Sequence, residues 1–187
     1  PFDVAEAHAQ TRVSAISKFA RLISTLATIR DRRVMVVSEF SDVIDLLAKY
    51  LRDALPERSV FRFHGGVSSR DKQLANFKEG PDDGILLATR GACGMAVNVE
   101  STTLVNGRRH AVVQYQLDLP MAQSLQDQTE GRIKRPIAQG YPDDADRVQE
   151  WVVVKVMAES TAPTLESWLS EVMQIKNARC GDFLTDR

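Results

Sequence analysis

Along this chain the spacing of apolar residues alternates between three- or four-residue steps and short unbroken runs. Ile16, Phe19, Ile23 and Leu26 recur at helical steps and predict one buried helix face. Arg30-Asp31-Arg32-Arg33 breaks that pattern, and Val34-Met35-Val36-Val37 follows as a continuous apolar run. Bounded by polar residues, such a run predicts a strand buried on both faces. Ser41 is placed to cap a second helix with the stripe Val43, Leu46, Leu47, Tyr50 and Leu51. Val60-Phe61-Arg62-Phe63 predicts a second strand. Ser68-Ser69-Arg70-Asp71 has the form of a capping box opening a helix that buries Leu74 and Phe77. Ile85-Leu86-Leu87-Ala88, His110 to Tyr115, and Trp151 to Val156 predict three more strands.

A helix over about 121–135 precedes Pro136, which disfavours helical geometry at the residue before it. A closing helix spans 165–175. Strands alternating with helices call for an α/β domain, a mostly parallel central sheet with helices on both faces. Asn106-Gly107-Arg108-Arg109 reads as a hairpin tip and 139–146 as a polar loop. The domain is expected over 16–177, with 1–15 a linker or extension from a preceding lobe and 178–187 a fraying tail.

Composition narrows the classes. The 187 residues carry 24 Lys and Arg against 25 Asp and Glu, a formal charge of −1, which excludes a polybasic chain that holds nucleic acid by bulk electrostatics. With 43% apolar and 26% charged residues the chain is expected to fold. No apolar run approaches transmembrane length, and Pro1-Phe2-Asp3-Val4-Ala5-Glu6 has neither a basic segment nor an apolar core of a signal peptide. Lacking an initiator Met, the chain is expected to be a fragment. Cys93 and Cys180 give no disulfide framework and suit a reducing, intracellular compartment.

The most informative string is Gln128-Thr129-Glu130-Gly131-Arg132-Ile133-Lys134-Arg135. On a helix Gln128, Arg132 and Arg135 share one face, where two guanidinium groups and an amide suit a polyphosphate. The plainer reading of an isolated Arg-x-x-Arg pair is a solvated face. Gln-x-x-Gly-Arg-x-x-Arg, however, resembles the sixth motif of superfamily 2 helicases and translocases at every fixed position. Thr89-Arg90-Gly91-Ala92-Cys93-Gly94-Met95-Ala96-Val97-Asn98-Val99 resembles the fifth motif of Swi/Snf-type remodelling ATPases, Thr-Arg-Ala-Gly-Gly-x-Gly-Ile-Asn-Leu. Arg33 to Phe40 resembles the fourth motif, a strand ending in Ser-x-Phe, and Phe63-His64-Gly65-Gly66-Val67-Ser68 the Asp-Gly-Ser-Thr-Ser segment. Val152 to Val156 followed by Thr164-Leu165-Glu166 is similar to the closing strand and helix of remodellers. The resemblance runs from about Ser17 to Leu169.

The resemblance implies the second RecA-like lobe of a two-lobe motor, three-layered, with ATP and Mg²⁺ held mainly by a first lobe outside this chain. Arg132 and Arg135 would be arginine fingers, Gln128, Gly94 and Asn98 would line the nucleotide side of the cleft, and Thr89, Arg90, Ser38, Gly65, Gly66 and Lys72 would contact the nucleic-acid backbone. The implied partners are the N-terminal RecA-like lobe of the same protein and DNA, or RNA, with no membrane. The location would be nuclear for a eukaryotic remodeller-like protein and cytoplasmic otherwise. The chain departs from the remodeller pattern in places. One extra residue stands beside Gly91, Ala96 replaces a glycine, His64 an acidic residue and Lys72 an arginine. The segment from Asn98 to Val112 is longer, and Asp118-Leu119-Pro120 is spaced as in DEAD-box RNA helicases.

No Walker A pattern and no Asp-Glu-x-x box occurs, so this chain alone is not expected to hydrolyse ATP. His8, His64 and His110 lack metal-ligand spacing, and Cys93, in a Gly/Ala-rich turn, reads as a packing residue. Trp151 and Trp168 read as core or lobe-surface residues, and Arg108-Arg109 as a solvated tip or a basic finger on nucleic acid. The alternative function is a non-catalytic RecA-like module that binds nucleic acid or a protein. A flavodoxin-like phosphate-binding domain would need a Gly-rich loop after the first strand, and Ser38-Glu39-Phe40-Ser41 is not one.

Overall fold

The run Val34 to Val37 becomes the central strand of the domain, fully buried on both faces. In the computed structural model the described residues are 18–30, 32–81, 83–94, 104–105, 108–109, 112–120, 122–130, 151–156, 168–172 and 174. Helix α1 occupies 18–28. It is followed by β1 (Arg33–Ser38), α2 (Ser41–Ala54), β2 (Val60–Phe63), α3 (Arg70–Glu79), β3 (Ile85–Thr89) and the short α4 (Arg90–Gly94). Then come β4 (Leu104–Val105), β5 (Arg108–Arg109), β6 (Val112–Gln116), α5 (Gln123–Glu130), β7 (Trp151–Lys155) and a last helical stretch at 168–172.

Five strands form one parallel sheet in the order β2-β3-β1-β6-β7. Alternation along each strand divides the core in two. Val34, Val36, Ile85, Leu87, Val113 and Tyr115 pack with Ile44, Leu47 and Leu51 of α2 and Phe19, Leu22 and Leu26 of α1. Met35, Val37, Leu86 and Ala88 pack on the other face with Phe63, with Phe77 of α3, and with Ala92 and Cys93 of α4. The expected three-layer α/β architecture is therefore present. β4 and β5 pair antiparallel, Val105 opposite Arg108, so Arg108-Arg109, expected at a hairpin tip, form a strand instead, and 106–107 lie outside the described residues.

Local details differ from the sequence reading. Arg33, read there as a polar break, is the first residue of β1 and fully buried. Its Nη2 donates to the Gly80 carbonyl at 2.7 Å, and its guanidinium stands 5.9 Å from the Phe77 ring centre, so the charge has partners inside. Ser41 does not cap α2: Phe40 holds that position, without a side-chain cap. The box at α3 is also unmade, since Ser69 precedes the helix without a side-chain bond. Instead Gln73 accepts the Arg62 N–H at 3.4 Å and ties α3 to β2. Cys93 lies in α4, not in a turn. Of the helix expected over 121–135, α5 accounts for Gln123–Glu130 and residues 131–135 lie outside the described residues.

Arg58 fastens the amino end of the sheet. It is buried, its Nη1 donates to the Leu26 carbonyl at 2.6 Å, and its Nε donates to the Asp83 carbonyl at 2.8 Å. Arg58→Ala leaves both carbonyls without that donor and is expected to destabilise the fold by about 2–4 kcal/mol, read from urea unfolding midpoints.

Candidate functional site

In a parallel sheet all strands end at one edge, and there the loops converge. The register puts Ser38 of β1 beside Thr89 of β3, and Phe63 of β2 beside Ala88. His64, Thr89, Ser38 and Leu117 thus follow at one level across four neighbouring strands.

Asp118, two residues past β6, organises this edge. Its Oδ2 accepts the Ser38 hydroxyl at 2.6 Å, and its two oxygens accept the Glu39 N–H at 2.9 and 3.0 Å. Arg90, the first residue of α4, is only 3% exposed and fills the space behind it. Arg90 Nη2 donates to the Asp118 carbonyl at 2.7 Å and lies 3.2 Å from Oδ1, and Nε reaches Glu39 Oε2 at 3.2 Å. Nη1 reaches the Thr129 hydroxyl of α5 at 3.4 Å. From the sheet side, Gln114 Nε2 donates to the Thr129 carbonyl at 3.1 Å, and Gln116 donates to Gln114 at 3.1 Å. One buried polar network therefore joins the ends of β1, β3 and β6 to α5.

A second cluster closes β2. Gly66 N–H donates to His64 Nδ1 at 3.2 Å, so that nitrogen carries no proton, and Nε2–H donates to Asp45 Oδ1 at 3.2 Å. Arg62 Nη1 donates to the same Asp45 oxygen at 2.5 Å. Burial pushes the Asp45 carboxyl up, but the hydrogen bonds from Arg62 and His64 outweigh it and leave it below the usual carboxylate range.

The residues singled out from sequence separate into groups. Ser38, Arg90 and Gly66, expected to face nucleic acid, have a polar group committed inside the protein: the Ser38 hydroxyl, the Arg90 guanidinium and the Gly66 N–H. Thr89 ends β3 half-buried, Gly65 is exposed after β2, and Lys72 is exposed on α3. Gln128 is exposed on α5, directly before buried Thr129, and Gly94 ends α4. Asn98, Arg132 and Arg135 lie outside the described residues. The sequence reading missed Asp118, Glu39 and Asp45 as organisers. The signal available for Asp118 is a carboxylate two residues after a strand with Pro120 behind it. Among the described residues no group of three His, Cys, Asp or Glu side chains could hold a metal ion.

Residues 17–136 match the model of the helicase conserved C-terminal domain. The chain belongs to that family. It is the C-terminal, RecA-like lobe of a superfamily 2 protein. It is 26% identical over 98 residues to Protein CHROMATIN REMODELING 4 of Arabidopsis thaliana, a match spanning 50% of this chain and 4% of that protein. Among solved structures, the C-terminal part of the Fun30 ATPase domain is similar at TM-score 0.61 and 16% identity, over 85% of this chain and 45% of that one. The Escherichia coli DEAD-box protein SrmB, solved bound to regulator of ribonuclease activity A, is similar at TM-score 0.52 and 17% identity, over 75% of this chain and 72% of that one. Domain 2 of the DEAD-box helicase Mss116p, solved bound to an RNA duplex, is similar at TM-score 0.50 and 17% identity, over 76% of this chain and 50% of that one.

Two measurements check this edge of the lobe. A double-mutant cycle of Arg90→Ala and Asp118→Ala is expected to give a coupling of about 0.5–2 kcal/mol in unfolding free energy, because each single change removes one charged partner while Glu39 still meets Arg90 and Ser38 still meets Asp118. For Asp45 the carboxyl is depressed, so its contribution is present above the unfolded value of about 4 and lost as pH falls through the lower folded value. The stability gap between the parent protein and Asp45→Asn is therefore expected to narrow from about pH 6 to about pH 3. It is small throughout, because the Asp45 side chain is 43% exposed.

Proposed function

We propose that this chain is the C-terminal motor lobe of an ATP-dependent nucleic-acid helicase or translocase, supplying arginine fingers and part of the nucleic-acid track. The observation that carries the reading is that the family match runs to residue 136 and so spans the whole string Gln128 to Arg135. The helix that begins this string is anchored through Thr129 to Arg90, the residue after Thr89. One buried bond thus links the segment read as nucleotide-facing to the segment read as track-facing.

An amide and two guanidinium groups suit the phosphate end of a nucleotide. Gln128 is an exposed amide on α5, and Arg132 and Arg135 follow it in sequence. These three would hold phosphate oxygens, and a first lobe would bring the triphosphate with its Mg²⁺, the electrophilic partner that offsets charge on the β and γ oxygens. The guanidinium groups would stabilise the charge that spreads over the transferring phosphoryl group, which for a finger is worth about 10³–10⁵ in rate. Opening and closing of the two lobes would then move the track. That track would be DNA, or RNA.

Arg135→Ala in the complete protein is expected to lower nucleic-acid-stimulated ATP turnover about 10³-fold or more while the circular dichroism spectrum is unchanged. Turnover equal to the parent's removes the finger assignment. Stimulation by duplex DNA, single-stranded DNA and RNA, compared side by side, identifies the track.

A further inference from the structure

The two faces of β6 differ in chemistry. Val113 and Tyr115 join the apolar cluster that includes α1 and α2. Gln114 and Gln116, which alternate with them, lie on the other face and are fully buried, with Met35 and Val37 of β1 in register beside them. Burying an amide is costly unless its polar atoms find partners. Gln116 Oε1 has none among the described residues. For packing alone, apolar side chains of the same volume would fill this place without that cost. The pair therefore has a role besides packing.

The hydrogen bonds point to α5. A carbonyl only accepts, so the Thr129 carbonyl requires the amide nitrogen of Gln114 to face it, at 3.1 Å. Gln114 Oε1 then receives Gln116 Nε2 at 3.1 Å, which keeps the Gln114 amide from turning over. Thr129 is 2% exposed, and its hydroxyl donates to the Leu125 carbonyl at 2.7 Å while Arg90 Nη1 meets it at 3.4 Å. Its hydroxyl is thus tied to α4 and its carbonyl to the sheet. Arg132 stands three residues after Thr129 in sequence, and Arg135 six. Neither glutamine lies in any of the motif-like strings, which stop at 99 and resume at 128.

We propose that Gln114 is a positioning residue for Arg132 and Arg135, holding the end of α5 to the sheet through the Thr129 carbonyl, with Gln116 fixing the direction of its amide. The inference rests on the motor-lobe reading and deepens it: the string Gln128 to Arg135 is held from β6 as well as from Arg90. Donors that stabilise a transition state have to be placed to within about 0.5 Å, which calls for a support that is itself locked. An amide bonded at both ends supplies that support without a charge. A buried lysine in its place would repel guanidinium groups, and a buried carboxylate would compete with phosphate for them.

The test uses the complete protein and measures nucleic-acid-stimulated ATP turnover, with the melting temperature reporting whether each variant folds. Gln114→Met keeps the length of the side chain and removes its donor. It is expected to lower kcat about tenfold with KM for ATP within about twofold of the parent's, the pattern of a group that acts on the transition state and not on binding. In a protein already carrying Arg132→Ala and Arg135→Ala, the same change is expected to lower turnover by less than about twofold, because the groups it positions are gone. A tenfold loss in that background too overturns the proposal, as does a parent-like kcat of Gln114→Met or a change confined to KM. If Gln114→Met does not fold, Gln116→Met decides, since it frees the Gln114 amide to turn over. About threefold lower kcat is then the expected result, and a parent-like value overturns the proposal. A parent protein that nucleic acid does not stimulate, or full turnover after loss of both arginines, defeats the motor-lobe reading. Impairment by the arginine changes with parent-like Gln114→Met defeats only the present inference.

Discussion

A guanidinium group buried at the end of a parallel sheet has to be compensated where it stands, and the compensation of Arg90 shapes everything around it. Leaving such a charge unpaired costs several kcal/mol, so its partners are held as firmly as it is. Asp118 supplies both a carbonyl and a carboxylate oxygen, and the same carboxylate takes the Ser38 hydroxyl and the Glu39 N–H. The end of β1, the start of α4 and the segment after β6 thereby become one unit. Thr129 extends it to α5. A displacement of any of these elements would break bonds that are costly to leave unmade, which is why the edge behaves as a single piece.

Sheet topology decides where that piece stands. With β3 on one side of β1 and β6 on the other, the segments after these strands leave from adjacent positions, α4 from one and Asp118 from the other. A parallel sheet brings every such segment to the same edge, so residues far apart in sequence meet: Ser38 and Asp118 are eighty positions apart and 2.6 Å from each other. β2 adds the His64 turn at the same level. The two core faces carry no comparable polar assembly among the described residues, and the apolar clusters there are set by alternation alone.

Most of the fold was legible because it depends on period. Unbroken runs such as Val34 to Val37 and Ile85 to Ala88 announce strands buried on both faces, and the helical stripe of α2 announces its buried side. The helix starts were less legible. Ser41 and Ser69 have the residue type of a cap, but neither helix start carries a side-chain cap bond. At the site, the motif strings locate the right segments, yet residue type does not reveal which way a polar atom is committed. The string around Arg90 does not announce its bonds to Asp118 and Glu39, nor does Gly66 announce its bond to the His64 ring. Long-range partners of this kind leave no periodic trace.

Once those groups are committed internally, the edge still offers neutral donors outward. The Gly65 N–H and the Gln128 amide are neutral donors, and Arg70 and Lys72 are cations of the segment that follows the turn. Neutral donors displace few counterions from a polyanion, so in the motor-lobe reading this lobe's share of track affinity depends only weakly on salt. That agrees with a formal charge of −1 over the whole chain. A lobe that must hold a phosphate backbone and release it again at each step gains from several modest, directional bonds over one strong electrostatic grip. In that reading, burying Arg90 and satisfying it inside keeps one positive charge off the surface that would meet the track.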